Sequence, residues 1–293
     1  MMNIILNLKE FLTKFSSTLV SIFRIVVMSK FIVNLKQSAQ RKEIIVLGNG
    51  PSLKTLLEKH RDFLEGKELI CVNTFPNTDL YEQLKPRYVI VGGPEFWINN
   101  IDEVYLKLRD DLYSDMVRKT SWDVDFLIPS QARKMRFWKD ILHQNKHINI
   151  VYYNITPVEG WKWFEHAMFN AKLGLPRAHN ILNPAIYTSL IMGYKKIYLW
   201  GADHSWLKEI SVDENNQALV CQKHFYDENS AKPIKMRQRG TGARKLHEIL
   251  HKFMHAFASY FILREYSATL GATIINNTPG SFIDAFEREE LKE

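Results

Sequence analysis

The chain has 293 residues, of which 46% are hydrophobic and 24% charged, a balance that excludes a disordered polymer and supplies one large α/β core. Its formal net charge of +7 suits an anionic partner such as a nucleotide, a phospholipid surface or a nucleic acid, without choosing among them. The two cysteines, Cys71 and Cys221, exclude a disulfide framework and fit a reducing compartment, and neither stands at zinc-ligand spacing from a histidine.

Two apolar runs open the chain, Ile4 to Phe15 and Leu19 to Val33. Lys9, Glu10, Lys14, Arg24 and Lys30 break every window long enough to cross a bilayer, and no small-residue cleavage site follows a clean apolar core. The pattern predicts an amphipathic helical arm over residues 1–40, built as a pair of interfacial helices whose residues 1–38 touch anionic headgroups on the cytoplasmic face of a membrane. The same arm packed on its own domain or on a second subunit, as a homo-oligomer would have it, fits the pattern equally.

From Glu43 onward strands and helices alternate, which predicts a single α/β domain over residues 41–293, a Rossmann-like, mostly parallel sheet with helices on both faces. The strand candidates are Ile44–Leu47, Leu69–Val72, Tyr88–Val91, Phe126–Ile128, Ile148–Tyr152, Ile197–Leu199 and Thr273–Ile275; the clearest helices are Leu53–Lys59, Ile101–Arg118, Arg133–Gln144, Asn183–Met192 and Ala243–Ala268. Trp206 to Gly242 is polar, holds no convincing strand and is too long for an ordinary connection, so it reads as a lid over about residues 206–242.

The string Glu43 to Lys54, EIIVLGNGPSLK, passes from a buried-strand run through Gly48, Asn49 and Gly50 to a helix that Pro51 opens. Backbone amides at Gly50–Ser52, beside a helix N-terminus, predict a phosphate cradle. Leu53 replaces the third glycine of the dinucleotide fingerprint and Asn73 follows the next strand where an acidic residue would hold a ribose, so an NAD reading loses two of its four supports. The predicted strand ends Gly48–Ser52, Asn73-Thr74, Gly92-Gly93-Pro94 and Gly201-Ala202-Asp203-His204 converge on one edge. Asn277, Thr278 and Ser281 end the last strand there, either contacting a ligand or forming a turn in which Ser281 caps the last helix.

These segments, IIVLGNGPSLK, ICVNTF, LKPRYVIVGGPEFW and MGYKKIYLWGADHSW, resemble in order and spacing the bacterial sialyltransferases that use CMP-sialic acid. They are also similar to the MptE-like proteins, a group with motility-associated glycosylation factors and 6-hydroxymethylpterin diphosphokinases. The resemblance covers about residues 43 to 205 and, weakly, 265 to 285. It implies a glycosyltransferase that uses no metal and no further cofactor, takes a CMP-linked sialic acid or Kdo-like sugar as donor and a cell-surface glycan or glycolipid as acceptor. It implies that Asn49 and Gly50 lie beside the nucleotide phosphate, that Asn73 meets cytidine or ribose and that Asn180 stands near the nucleotide, while the strand-end reading adds Gly48, Pro51, Ser52, Thr74, Gly92 and Gly201 to the expected nucleotide site. Ser205 stands where the family has a tyrosine assisting the departing phosphate, and Tyr226 offers a phenol from the lid instead.

Sugar transfer also needs a group titrating near neutrality to deprotonate the acceptor. His224, between Lys223 and Tyr226, His204, beside Asp203 at a strand end, and His255 on the long helix are the candidates. His247-Glu248-Ile249-Leu250-His251 is a literal zinc-peptidase string, but Leu246, Ile249, Leu250, Phe253, Phe257 and Phe261 make the neighbouring stripe look like core. A pterin or nucleotide pyrophosphokinase, with Asp203 and Glu95 as magnesium ligands, and a non-catalytic nucleotide-binding assembly factor remain as alternatives. Nucleic-acid binding is disfavoured by dispersed Lys and Arg residues.

Overall fold

The computed structural model describes residues 2–33, 35, 42–101, 103–221, 223–226, 231–238 and 242–291. Among them the strands run in chain order as β1 (Glu43–Leu47), β2 (Glu68–Val72), β3 (Tyr88–Ile90), β4 (Val124–Pro129), β5 (Ile148–Tyr153), β6 (Lys196–Trp200), β7 (Ile210–Val212), β8 (Ala218–Val220), β9 (Ile234–Lys235), β10 (Arg237–Gln238), β11 (Gly242–Ala243), β12 (Thr273–Asn276) and β13 (Glu287–Arg288). An eight-stranded sheet has the order β13-β12-β6-β1-β2-β3-β4-β5, and every pairing in it is parallel.

The helices are α1 (Met2–Met28), α2 (Ser52–Lys59), α3 (Leu80–Leu84), α4 (Glu103–Lys119), α5 (Phe137–Leu142), α6 (Lys162–Asn170), α7 (Leu182–Met192) and α8 (Leu246–Thr269). Alternation along the strands divides the core in two. Ile44 and Val46 of β1 pack with Phe169 of α6, Tyr187 of α7 and Tyr260 of α8, while Ile45 and Leu47 pack with Leu53 of α2, Tyr81 of α3, Met116 of α4 and Trp138 of α5. Both sheet faces are thus covered, which is why the central strands read as unbroken apolar runs.

The predicted α/β fold is present, with two corrections. The 206–242 segment carries strands: β7, β8 and β9 form an antiparallel sheet and β10 pairs with β11. The arm is one continuous helix, not a pair, because Ser16, Ser17 and Thr18, which separate the two apolar runs, lie inside α1. The end of the predicted arm, residues 34 and 36–41, lies outside the described residues.

Helix α1 packs on the domain through its polar side. The Ser21 hydroxyl donates to the Glu159 carbonyl at 2.8 Å and accepts from the Glu159 amide at 2.9 Å, and Arg24 pairs with the Glu159 carboxylate at 2.9 Å. Beyond the helix, Asn154 binds both the amide and the carbonyl of Lys30, and Ile32 and Leu35 enter the core.

Candidate functional site

β1 and β6 are neighbours in the sheet, yet the chain leaves them in opposite directions across it, toward β2 on one side and β12 on the other. Ligands of open α/β sheets bind beyond the carboxyl ends at such a switch point. A cavity of about 210 Å³ lies there, lined by Gly48, Asn49, Gly50, Pro51, Asn73, Asn180, Gly201, Asp203, His204 and His224 from the expected set. His179, Ser205, Trp206, Glu209, Lys252 and Phe253 are among the other residues of its walls. Ser52, Thr74, Gly92 and Tyr226 lie outside that lining.

The expected amide cradle is already filled by the chain itself. The Gly48 amide donates to the Trp200 carbonyl at 2.8 Å and the Gly50 amide to the Gly201 carbonyl at 2.9 Å. Pro51 has no N–H. The Ser52 amide and hydroxyl both donate to the Asp203 carboxylate, at 3.2 and 2.8 Å, so a carboxylate of this chain occupies the α2 N-terminus. Burial raises the Asp203 pKa while the two Ser52 bonds lower it. The glycines serve close approach instead: a Cβ on Gly48 would overlap the Gly201 carbonyl oxygen, and one on Gly201, at φ +65°, the Gly48 carbonyl oxygen. These residues build a tight floor, and their amides are not free to grip a phosphate as the sequence suggested.

Side-chain amides take over the polar role. Asn49 Oδ1, Asn73 Oδ1 and Asn180 Nδ2 are buried and have no hydrogen-bond partner among the described residues. Asn49 is held by its Nδ2 donating to the Val72 carbonyl at 3.3 Å. Asn73 takes the left-handed conformation at φ +49°, as does His204 at φ +51°, so the ends of β2 and β6 both turn through strained residues that carry side chains.

Asn180 is oriented by a relay. Its Oδ1 accepts from the Tyr260 hydroxyl at 3.0 Å and from the Asn183 amide at 3.2 Å, which leaves its NH₂ toward the cavity. Tyr260, having given its one hydrogen away, must accept from His204 Nε2 at 2.5 Å, fixing that nitrogen as the protonated one. His204 is 7% exposed and stacks on Trp206 at 4.0 Å between centroids, and burial drives its pKa down to about 3. It is therefore neutral and too weakly basic to deprotonate an acceptor near neutral pH, which corrects the expectation of a base at this position. The role left to it is positioning Asn180 through Tyr260.

The opposite wall is cationic. Lys252 of α8 is largely desolvated, its pKa lowered first by burial and then by Arg244, and the attraction of Glu95 raises it again. Glu95 is in turn raised by burial. His179 is pushed down to about 4 by burial and then by Lys252, so it too is neutral. Lys223, paired with Glu209 at 2.8 Å, stands at the rim.

The 206–242 segment closes over this cleft. Ala218 and Val220 of β8 pack on Ile249 and Phe253 of α8, with Trp206, Ile210 and Met236 around them. At its tip the Phe225 amide donates to the Asn49 carbonyl at 3.0 Å and the Phe225 ring packs on Phe75 at 5.7 Å. His224 stacks face to face on Tyr226 at 5.0 Å, and the Tyr226 hydroxyl meets that of Thr74 at 3.2 Å in an adjoining groove. His224 therefore borders the cavity, whereas Tyr226 and Thr74 face away from it.

The remaining sequence candidates have structural employment. Glu248 reaches back to the Lys245 amide at 2.7 Å and caps α8, His247 and His251 are exposed, and no group of three or more His, Cys, Asp or Glu among the described residues is placed to hold a metal ion. His255 sits 4.5 Å from His251 and 5.5 Å from His179 between ring centroids, its pKa lowered by burial first. Thr278 Oγ1 donates to the Leu199 carbonyl at 3.0 Å and accepts from the Ala202 amide at 3.1 Å, and Ser281 Oγ donates to the Ala202 carbonyl at 2.6 Å. That turn braces the end of β6 and leaves no hydroxyl for a ligand.

No family model matches the chain, and no curated protein matches it. Eight solved chains do. One of them is the MAf glycosyltransferase from Magnetospirillum magneticum AMB-1, at 12% identity and a TM-score of 0.48 over 91% of this chain and 37% of that one. The chain thus spans little more than a third of that protein.

Sequence reasoning missed Lys252, His179, Trp206 and Tyr260. A run of His and aromatic residues on α8 was visible, but only the fold shows that Lys252 and Tyr260, eight residues apart, serve the same cleft.

Proposed function

We propose that the chain is a glycosyltransferase working without a metal ion, which moves an acidic sugar of the sialic acid or Kdo type from a CMP-linked donor to a cell-surface glycan or a lipid-linked acceptor. The observation that carries this reading is the set of unpartnered amide atoms, Asn49 Oδ1, Asn73 Oδ1 and Asn180 Nδ2, around a switch-point cleft that Lys252 faces. Two acceptors suit the amino group of cytosine and the hydroxyls of ribose, and the single donor suits a carbonyl or phosphate oxygen. The desolvated ammonium of Lys252 suits a carboxylate or phosphate, where low dielectric strengthens the attraction.

In this reading the acceptor oxygen attacks the anomeric carbon while its proton passes to His224. The bond from that carbon to the phosphate oxygen breaks, the electron pair leaves on the nucleotide phosphate, and Lys252 and the Asn180 amide stabilise the charge that develops. His224 suits the role of base because it stands at the rim, where the acceptor would enter. The volume of about 210 Å³ falls below the roughly 300–1,000 Å³ usual for small-molecule sites, so donor entry requires the tip at residues 223–226 to lift.

Thermal shift with CMP, CDP, UDP, GDP and ATP, with and without Mg²⁺, followed by hydrolysis assays on CMP-sugars, tests the proposal. CMP stabilisation independent of Mg²⁺ and release of CMP from an acidic CMP-sugar are expected, with His224→Ala binding CMP normally but turning over at least about a hundredfold more slowly. Stabilisation by ATP with Mg²⁺ alone would instead select pyrophosphoryl transfer, and binding of a nucleotide without turnover of any donor would select an assembly factor.

A further inference from the structure

Helix α1 is amphipathic in the reverse sense to a surface helix. The positions turned to the domain are Lys14, Ser17, Thr18, Ser21, Arg24 and Ile25, at the three- and four-residue spacing of one helical stripe, and all but the last are polar. The opposite side carries Leu12, Leu19, Ile22, Phe23 and Val26, every one exposed, Phe23 at 69% and Val26 at 77%. A helix folding onto a soluble domain buries its apolar stripe; this one spends its polar stripe on hydrogen bonds to Glu159 and Trp161 and presents apolar surface outward.

We propose that this outward face lies in the surface of a bilayer containing anionic phospholipid, with the helix parallel to the membrane plane. Contrary to the sequence expectation that charges break every spanning window, Leu6–Met28 is long and apolar enough to cross a membrane, because its apolar stretch tolerates the few charges it holds, but the attachments to the domain exclude that pose. Phe11 and Phe15 pack on Trp161 at 5.7 and 6.2 Å, Ser21 and Arg24 bind Glu159, and Ser29 binds Thr156 at 2.8 Å. The first of these contacts is at Phe11, and the helix ahead of it, residues 2–10, is about 13 Å long against a hydrocarbon core of about 30 Å. A helix whose docked stripe is polar and whose free half is apolar fits a position between protein and lipid. Its apolar side spans about half the circumference, wider than the seam of a helix pair, which favours lipid over a second copy. Trp163, 69% exposed beside Trp161 and Lys162, adds the aromatic and basic residues typical of headgroup depth.

The docking site on the domain, residues 154–161, follows the carboxyl end of β5. All strands of the eight-stranded sheet are parallel, so α1 meets the edge of that sheet that bears the cleft. Membrane contact would set that edge against the lipid, which is where a lipid-linked acceptor is found; this last step alone rests on the transferase reading.

Sedimentation with vesicles of phosphatidylcholine, alone or mixed with phosphatidylglycerol, tests the proposal without any activity assay. The full chain is expected to pellet with the mixed vesicles and to be released by alkaline carbonate, and Trp fluorescence is expected to be quenched by brominated lipid less in Trp163→Phe than in the parent. The triple variant Leu19→Ser, Phe23→Ser, Val26→Ser touches no core residue and should lose at least about a hundredfold in partitioning while its thermal midpoint is kept. Three results overturn the proposal: a parent chain that stays in the supernatant with both vesicles, carbonate-resistant insertion, or a dimer in sedimentation velocity that the triple variant dissolves.

Discussion

The carboxylate of Asp203 accepts both the amide and the hydroxyl of Ser52, at 3.2 and 2.8 Å, and so fills the helix end where a ligand phosphate was expected. Asp203→Asn keeps one acceptor, loses the second, and removes a negative charge from the cavity wall. Unfolding by urea should show a loss of about 1 kcal/mol, and calorimetry should show CMP binding severalfold tighter because a like charge facing the phosphate is gone. Weaker CMP binding would mean that the Asp203 carboxylate accepts a hydrogen bond from a ligand hydroxyl.

Tyr260→Phe deletes the hydroxyl that joins His204 to Asn180. The buried His204 Nε2–H then lacks a partner, costing about 1–3 kcal/mol, and Asn180 Oδ1 keeps only the Asn183 amide, so the Asn180 side chain is less firmly directed and CMP affinity should fall about tenfold. His204 gives an independent readout. Its folded pKa of about 3 lies below the ordinary 6.5, so the unfolded chain takes up the proton first and stability falls as the pH drops from about 6.5 toward about 3. Imidazole NMR should show this ring neutral, with its hydrogen on Nε2, over most of that range and titrating only as the pH nears about 3.

Lys252→Met keeps most of the volume and removes a desolvated charge. The thermal midpoint should hold or rise slightly, while affinity for an acidic CMP-sugar drops more than affinity for CMP itself. Equal losses for the two ligands would place Lys252 on the phosphate and not on the sugar carboxylate.

Glu159 holds Arg177 through bonds of 2.8 and 2.5 Å and Arg24 through one of 2.9 Å. Arg177 chiefly, with Arg24, keeps its carboxyl down at about 2 against an ordinary 4.5, overcoming the opposing effect of burial. A depressed carboxylate stabilises the fold above its unfolded pKa, and that stability is lost as the pH falls from about 4.5 toward 2. Urea midpoints against pH should decline over this window in the parent and decline less in Glu159→Gln, which starts lower at neutral pH.

The central sheet was legible because β1, β2, β3 and β6 are buried on both faces and read as apolar runs. Strands β7 and β9 were not, since most of their residues are exposed and backbone pairing alone defines them. The helix expected from Arg133 begins at Phe137, because Ser130–Lys134 winds as a 3₁₀ turn. In α1 the polar interval Ser16 to Thr18 read as a break, when in fact Ser17 and Thr18 form the docking stripe. At the site, sequence placed the strand ends correctly but could not reveal that the Gly48 and Gly50 amides are committed to β6, a fact set by the β1–β6 pairing.

Among the contacts that hold the tip of the covering segment at the ends of β1 and β2 are the Phe225 amide bond to the Asn49 carbonyl, the Phe225–Phe75 ring contact and the Tyr226–Thr74 hydroxyl pair. At about 1 kcal/mol each, three such contacts amount to about 3 kcal/mol, which leaves the latch undone for roughly one molecule in a hundred and fifty. Such a catch needs no trigger. Thermal motion alone would open the mouth often enough for a substrate to slip in, and the same contacts would shut it again.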